Sequence, residues 1–324
     1  MSPESVTRWV HLLARRLLTG MVHMLPPGAA EVFRDPAGPL RSPAGAIRLM
    51  ATHLLRRGGI PAAVDAFALP DNPSLRFVNA DSLVLQQLYW FGEQGWEPEL
   101  LPWWRYFCRR SSSIVELGAN VGYYTVQGAR AAPHARYLAV EPHPASVRAC
   151  RVNLALNRID SVEVIAAAAV ADPSATATEL MVPWEQLEAP TVAFMPTSSE
   201  LPSAMARRHG VVLTVPAVDV RSLLDGVDLL KLDVEGQEYE LLAAAWEQLQ
   251  ARHPTIVIEV LPDTPRLRVL LVELCEKLGY RCYAPVRDRL IPLAARSIPD
   301  LRVQHTFGTN DLILSADPDM PTVL

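Results

Sequence analysis

The chain has 324 residues, half of them hydrophobic, with a mean hydropathy of +0.12 and a formal net charge of −5. This composition supports a sizeable buried core and excludes disorder over most of the length, and the acidic balance gives no reason to expect nucleic acid as the partner. The four cysteines, Cys108, Cys150, Cys275 and Cys282, are scattered, form no CxxC pair and follow no secretory signal. They read as reduced thiols in a cytoplasmic protein.

Residues 1 to 75 are rich in Arg, Ala, Leu and Pro, with helical patches over 6–24 and 44–58 separated by "PPGAAEVFRDPAGPLRSPAG". The most apolar stretch, "VTRWVHLLARRLLTGMVHML", is broken by Arg8, His11, Arg15 and Arg16. No run reaches the roughly 18 to 20 apolar residues of a membrane span. This arm is basic within an acidic chain, which fits either a docked helical extension or a contact with an acidic partner, a membrane surface or a second subunit. From 76 to 112 a second helical stretch hinges at "GEQGWEP" and holds Trp90, Trp96, Trp103 and Trp104. Aromatics so spaced are expected to pack a helical layer onto the domain that follows.

From 113 to 316 short apolar runs alternate with helical patterns. Strands are expected at 113–118, 136–141, 161–168, 227–233, 255–260, 281–285 and 311–315, and helices at 122–131, 144–157, 220–225, 235–250 and 265–278. Such alternation predicts a doubly wound, mainly parallel sheet, whose ligands sit outside the carboxyl ends of the strands. The Pro-, Thr- and Ser-rich segment 171–211 interrupts the alternation and reads as a partly hairpin-like insertion at the rim of the site; residues 317–324 read as a tail.

Three strand ends carry chemistry. "IVELGANVGYYT", 114–125, places glycines at 118 and 122 before a helix start, which suits close approach of a carboxylate or phosphate. Asn120 stands where a nicotinamide-binding G-x-G-x-x-G would need its second glycine. "RYLAVEP" ends in Glu141, a carboxylate suited to both hydroxyls of a ribose. "VDLLKLDVEGQEYELL", 227–242, puts Lys231 and Asp233 on one face of a strand, where a buried ammonium needs a carboxylate partner. Only Lys231 and Lys277 among the thirty basic residues are lysines.

Together with "AVEPHPASVRACRVNLALN" and "IVIEV", these segments resemble the FkbM family of S-adenosylmethionine-dependent methyltransferases, over roughly residues 81 to 315. The resemblance implies a class I methyltransferase (Rossmann-like) fold: a seven-stranded, mainly parallel sheet with one antiparallel strand and helices on both faces, preceded here by a helical extension. It implies S-adenosylmethionine as cofactor, with contacts from Glu116, Gly118, Ala119, Asn120, Gly122, Tyr123, Thr125, Glu141, Pro142, Asn153, Ala168 and Asp233. Asn153 and Asn157 match the family's asparagine pair; Lys231, Asp233, Glu235, Gly236 and Glu259 match its acidic elements. Glu116 stands where aspartate is common, His143 where asparagine is common, and Val218 replaces the usual threonine before Asp219.

The implied reaction is methyl transfer to a hydroxyl of a sugar, polyketide or peptide-like metabolite in natural-product biosynthesis, with Lys231, Asp233 and Glu259 as the catalytic set. An aliphatic hydroxyl needs help in losing its proton, and Asp233 and Glu259 are placed to give it directly, or by holding a divalent cation through hard oxygens. His143 and His305 are weaker candidates for base. Methylation of nitrogen or a carboxylate, and a cofactor-binding scaffold that recruits a partner through its basic arm, are the competing readings.

Overall fold

The computed structural model describes residues 20–22, 24, 59–183, 189–190, 193–196, 198 and 210–324. The helical patches expected at 6–24 and 44–58 lie outside the described residues, apart from 20–22 and 24. No helix among the described residues is long and apolar enough to cross a membrane.

The chain divides into two compact units between Trp96 and Glu97, within the "GEQGWEP" hinge. In the first, β1 (Ala66–Ala68) and β2 (Arg76–Val78) form an antiparallel pair followed by α1 (Leu83–Phe91). The ring of Phe67 meets Tyr89 edge-on at 5.2 Å, and the Trp90 indole N–H donates to the Gly59 carbonyl at 3.0 Å. Burial of these rings covers a hairpin too small to be stable alone.

The second unit begins with α2 (Leu101–Arg110), followed by β3 (Ser113–Leu117), α3 (Tyr123–Ala131), β4 (Arg136–Val140), α4 (Pro144–Leu156) and β5 (Val162–Ile165). Next come β6 (Ala168–Val170), β7 (Ala177–Pro183), β8 (Gly210–Asp219), α5 (Val220–Leu223) and β9 (Leu229–Leu232). The chain closes with α6 (Glu238–Ala244), α7 (Trp246–Arg252), β10 (Thr255–Glu259), α8 (Pro265–Leu278), β11 (Arg281–Val286), β12 (Arg289–Leu293), α9 (Val303–Phe307) and β13 (Asp311–Ser315).

The central sheet has the order β12-β11-β13-β10-β9-β3-β4-β5. Strands β5, β4, β3, β9 and β10 run parallel, β13 is antiparallel to both β10 and β11, and β12 is an added antiparallel edge strand. All seven expected strands are present, one of them antiparallel. The eighth, β12, is not anticipated, because Pro292 within "RLIPL" counts against a strand; at a sheet edge the missing N–H is tolerated. The strand order reverses between β3 and β9, so the carboxyl ends of these two define the switch point. Fully buried runs such as "LLKL" in β9 and "DLILS" in β13 fit a sheet covered on both faces.

Two expected elements split. The strand expected over 161–168 breaks at a turn, where the Ala167 N–H donates to Ile165, and β6 leaves for a separate sheet of order β6-β8-β7. The helix expected over 235–250 starts only at Glu238 and pauses at Ala245. Its start is delayed because Glu235 and Gly236 adopt positive φ (54° and 102°), a turn held by the Glu238 carboxylate accepting from the N–H groups of Val234 and Gly236. β7, inside the expected insertion, pairs antiparallel with β8, which lies almost wholly beyond residue 211, and Met181 bridges Phe194.

Candidate active site

The turn after β3 is fastened to the neighbouring strand. The N–H groups of Gly118 and Ala119 donate to the Val140 carbonyl at 2.9 and 3.1 Å, and the Gly122 N–H donates to Ala119. Gly118 has φ +85°, and a Cβ there would overlap the backbone carbonyl oxygen of Asp233; Gly122 has φ +80°, and a Cβ would lie 2.7 Å from Cys150 Sγ. Both glycines are required by the protein's own packing, so close approach of a ligand is not needed to explain them. Asn120 between them has φ 49°. With Glu235 it is one of two left-handed non-glycine residues in loops at the switch point, a strain that costs on the order of 1 kcal/mol or more and concentrates at functional loops. α3 begins at Tyr123 without a side-chain cap, so its first-turn N–H groups lack intrahelical acceptors and leave a positive dipole end.

Glu141, at the end of β4, is buried and braced on both oxygens: Oε2 accepts from the Asn120 N–H at 2.9 Å and Oε1 from the His143 N–H at 2.8 Å. Burial raises its pKa to about 7 against the pull of those two N–H groups. Its remaining lone pairs are available to a diol. Glu116 is directed differently. Its Oε2 accepts from the Thr125 hydroxyl at 2.8 Å and the Tyr137 hydroxyl at 2.6 Å, so Glu116 and Thr125, two expected cofactor contacts, bind each other. Asn153, wholly buried, donates to the Val121 carbonyl at 2.7 Å and holds the glycine turn from behind; Asn157 donates to the Asn153 carbonyl. Ala119, Pro142 and Ala168 lie just past the carboxyl ends of β3, β4 and β5.

Lys231 sits in β9 with 2% of its surface exposed, opposite Glu116 in register. Its Nζ donates to Asp233 Oδ2 at 2.8 Å and lies 4.8 Å from the centre of the Tyr124 ring. Burial alone would lower its pKa, but Asp233, Glu97, Glu116 and Asp311 together raise it above the ordinary lysine range. Glu97 and Asp311 belong to this cluster although sequence reasoning passed over them. Burial and the Asp311 carboxylate push Glu97 to about 8, and burial pushes Asp311 to about 6 against Lys231 and the Thr309 hydroxyl. The one signal available was an acid opening the last strand; nothing in "WEPEL" marks Glu97.

Glu259 ends β10 directly opposite Asp311. Its Oε1 accepts from Asn310 Nδ2 at 3.3 Å, and its Oε2 is buried with no hydrogen-bond partner in the structure. Burial, then Asp233, Glu235, Glu238 and Asp311, raise its pKa well above the carboxylate range. Oxygens of Asp233, Glu235 and Glu259 lie within 4.8 Å of one another and are the described groups that could hold a divalent cation. His143 is buried, and that burial, with Arg148 nearby, lowers its pKa to about 4, leaving a neutral ring at neutral pH; the His305 side chain lies outside the described residues. The insertion reaches the loops: Asn120 Nδ2 donates to the Pro190 carbonyl at 3.1 Å, and the Ser198 hydroxyl to the Gly236 carbonyl.

Seven strands in this order with one antiparallel member, a left-handed glycine turn after the first of them and an acid ending the second define a class I methyltransferase. A family model, the methyltransferase FkbM domain, matches residues 116–282, just over half of the chain. The chain belongs to the FkbM family of S-adenosylmethionine-dependent methyltransferases. Among solved structures it is similar to an FkbM methyltransferase from Methylobacillus flagellatus at 14% identity and a TM-score of 0.40, covering 63% of this chain and 43% of that one. The chain thus spans less than half of that relative's length. It is also similar to an O-methyltransferase from Bacillus cereus crystallised with SAH, at 12% identity and a TM-score of 0.37, covering 67% of this chain and 80% of that one. A third, the O-methyltransferase TomG of tomaymycin synthesis from Streptomyces achromogenes in complex with SAM, shares 13% identity with a TM-score of 0.36 and coverages of 67% and 78%. No curated protein matches the chain.

Proposed function

We propose that the protein is an O-methyltransferase that uses S-adenosylmethionine to methylate a hydroxyl of a sugar or other small metabolite. The observation that carries this reading is Glu141, fixed by the Asn120 and His143 N–H groups beside the uncapped start of α3. A braced carboxylate suits the ribose hydroxyls, and the helix start suits the carboxylate of the cofactor's methionine end. Gly118, Ala119, Asn120, Gly122 and Tyr123 supply the turn, Pro142 and Ala168 the adenosine end, and Glu116, Thr125 and Asn153 hold the turn's shape.

When bound, the cofactor supplies an electrophilic methyl on a sulfonium: the acceptor oxygen bonds to the methyl carbon, and the carbon–sulfur electron pair stays on sulfur. The chain's contribution is alignment and proton removal. Lys231 fixes Asp233 beside the turn, and Glu259, with a raised pKa and an oxygen free of protein partners, accepts the hydroxyl proton. The four free cysteines fit a reducing, cytoplasmic setting. The reading is tested by following labelled methyl from the cofactor into candidate hydroxyl acceptors with wild type, Asp233→Asn and Glu259→Gln. Turnover unchanged in both variants would overturn the base assignment and favour a nitrogen or carboxylate acceptor.

A further inference from the structure

Three residues of the insertion each grip a different loop at the carboxyl ends of the central strands. The Pro190 carbonyl accepts from Asn120 Nδ2 at 3.1 Å, in the loop after β3, and the Ser198 hydroxyl donates to the Gly236 carbonyl, in the loop after β9. Phe194, buried, packs on Leu261, two residues past Glu259 at the end of β10, with Met181 of β7 against them. The loops after β3 and β9 flank the switch point, where a doubly wound sheet binds its ligand. Both carry left-handed backbone, at Asn120, Glu235 and Gly236. Asn120 joins insertion and seat: its backbone N–H braces Glu141 while its side chain holds Pro190. Its Oδ1 is buried with no hydrogen-bond partner, which leaves an acceptor for a ligand donor.

The insertion is divided between two small cores. Met195 packs with Leu180, Val182 and Val215 in the sheet β6-β8-β7, and Phe194 exchanges backbone hydrogen bonds with Met181 of that sheet. The Phe194 ring and Leu261 form a separate cluster, apart from the main core that runs through β3, β9, β10 and α8. Parting Phe194 from Leu261 and releasing Asn120 and Gly236 thus leaves both the small sheet and the main core intact. Segments held by so little buried apolar surface open at the low-energy end of a protein's fluctuations. We propose that Pro190, Phe194 and Ser198 form a strap over the cofactor seat, and that cofactor enters and leaves only when the strap releases the loops after β3, β9 and β10. The inference rests on the methyltransferase reading and adds a gate to it. Loosening a gate speeds entry and exit alike and preserves their ratio, whereas deforming a seat speeds exit and slows capture.

Surface plasmon resonance with S-adenosylhomocysteine over the immobilised full chain tests this. Ser198→Ala removes the hydroxyl link and Phe194→Ala the apolar foot. Association and dissociation rate constants should both rise in each variant. In Ser198→Ala the rise should be about fivefold, the worth of one hydrogen bond, with the dissociation constant within about twofold of wild type. Unchanged rates in either variant, or faster dissociation paired with slower association, would overturn the proposal. The wild-type measurement separates the two levels. No binding of S-adenosylhomocysteine sinks the methyltransferase reading, whereas normal binding with rates that the variants leave alone sinks only the gate.

Discussion

Replacing Lys231 by Met removes the cation that, among the described residues, faces the buried carboxylates of Glu97, Glu116 and Asp311. The Nζ to Asp233 Oδ2 distance of 2.8 Å corresponds to a gross attraction of about 6 kcal/mol at an effective dielectric constant of 20. Asp233 is 28% exposed, so solvent screens part of this. Removing one partner of a buried pair costs about 3 to 5 kcal/mol, and the lower end applies here. The size should depend on pH. Glu97, Glu116 and Asp311, with pKa values near 8, 7 and 6 in the presence of the lysine, shift further upward without it. Groups whose folded pKa exceeds the unfolded value retain protons that the unfolded chain has lost, so stability falls as pH rises, by about 1.4 kcal/mol per unit for each extra proton. The Lys231 contribution itself is constant in this window, because its pKa is raised and its charge is lost only at alkaline pH. Urea unfolding should therefore show a penalty of about 1 to 2 kcal/mol at pH 5.5, growing to about 3 kcal/mol at pH 8.5. A penalty equal at both pH values, or below about 1 kcal/mol at both, would refute the reasoning.

Gly118→Ala should cost well over 2 kcal/mol, since its Cβ meets the Asp233 carbonyl, whereas Gly279→Ala, with φ +73° and open space around it, should cost only about 1 kcal/mol; thermal melts compare them. Glu141→Gln keeps the shape of the side chain but loses charge and acceptor strength, and should weaken S-adenosylmethionine binding about tenfold by calorimetry, which is about 1.4 kcal/mol. Glu259→Gln should lower turnover about 10²- to 10⁴-fold with cofactor affinity unchanged. In wild type, activity should fall as pH drops through a limb lying above the ordinary carboxylate range, because burial and neighbouring acids hold the Glu259 proton on; a limb near pH 4 would contradict this.

The strands and the switch point were legible because buried parallel strands write continuous apolar runs between turn residues, and glycine turns and strand-ending acids sit at fixed offsets from them. Four things were not. The reason for Gly118 and Gly122 lies in contacts with Asp233 and Cys150, which are remote in sequence. Glu116 and Thr125 read as ligand contacts, yet they satisfy each other, since a strand residue and one on the following helix meet only when the fold closes. Glu97 and Asp311 join Lys231 from opposite ends of the second unit, and burial, which gives them their unusual titration, leaves no mark on local pattern. The doubled edge of the sheet was hidden by one proline.

Every catalytic role proposed for these residues requires that the full chain bind the cofactor. Titration with S-adenosylmethionine should give a one-to-one complex with a micromolar dissociation constant, weakened in Glu141→Gln. No detectable binding at millimolar cofactor would contradict it.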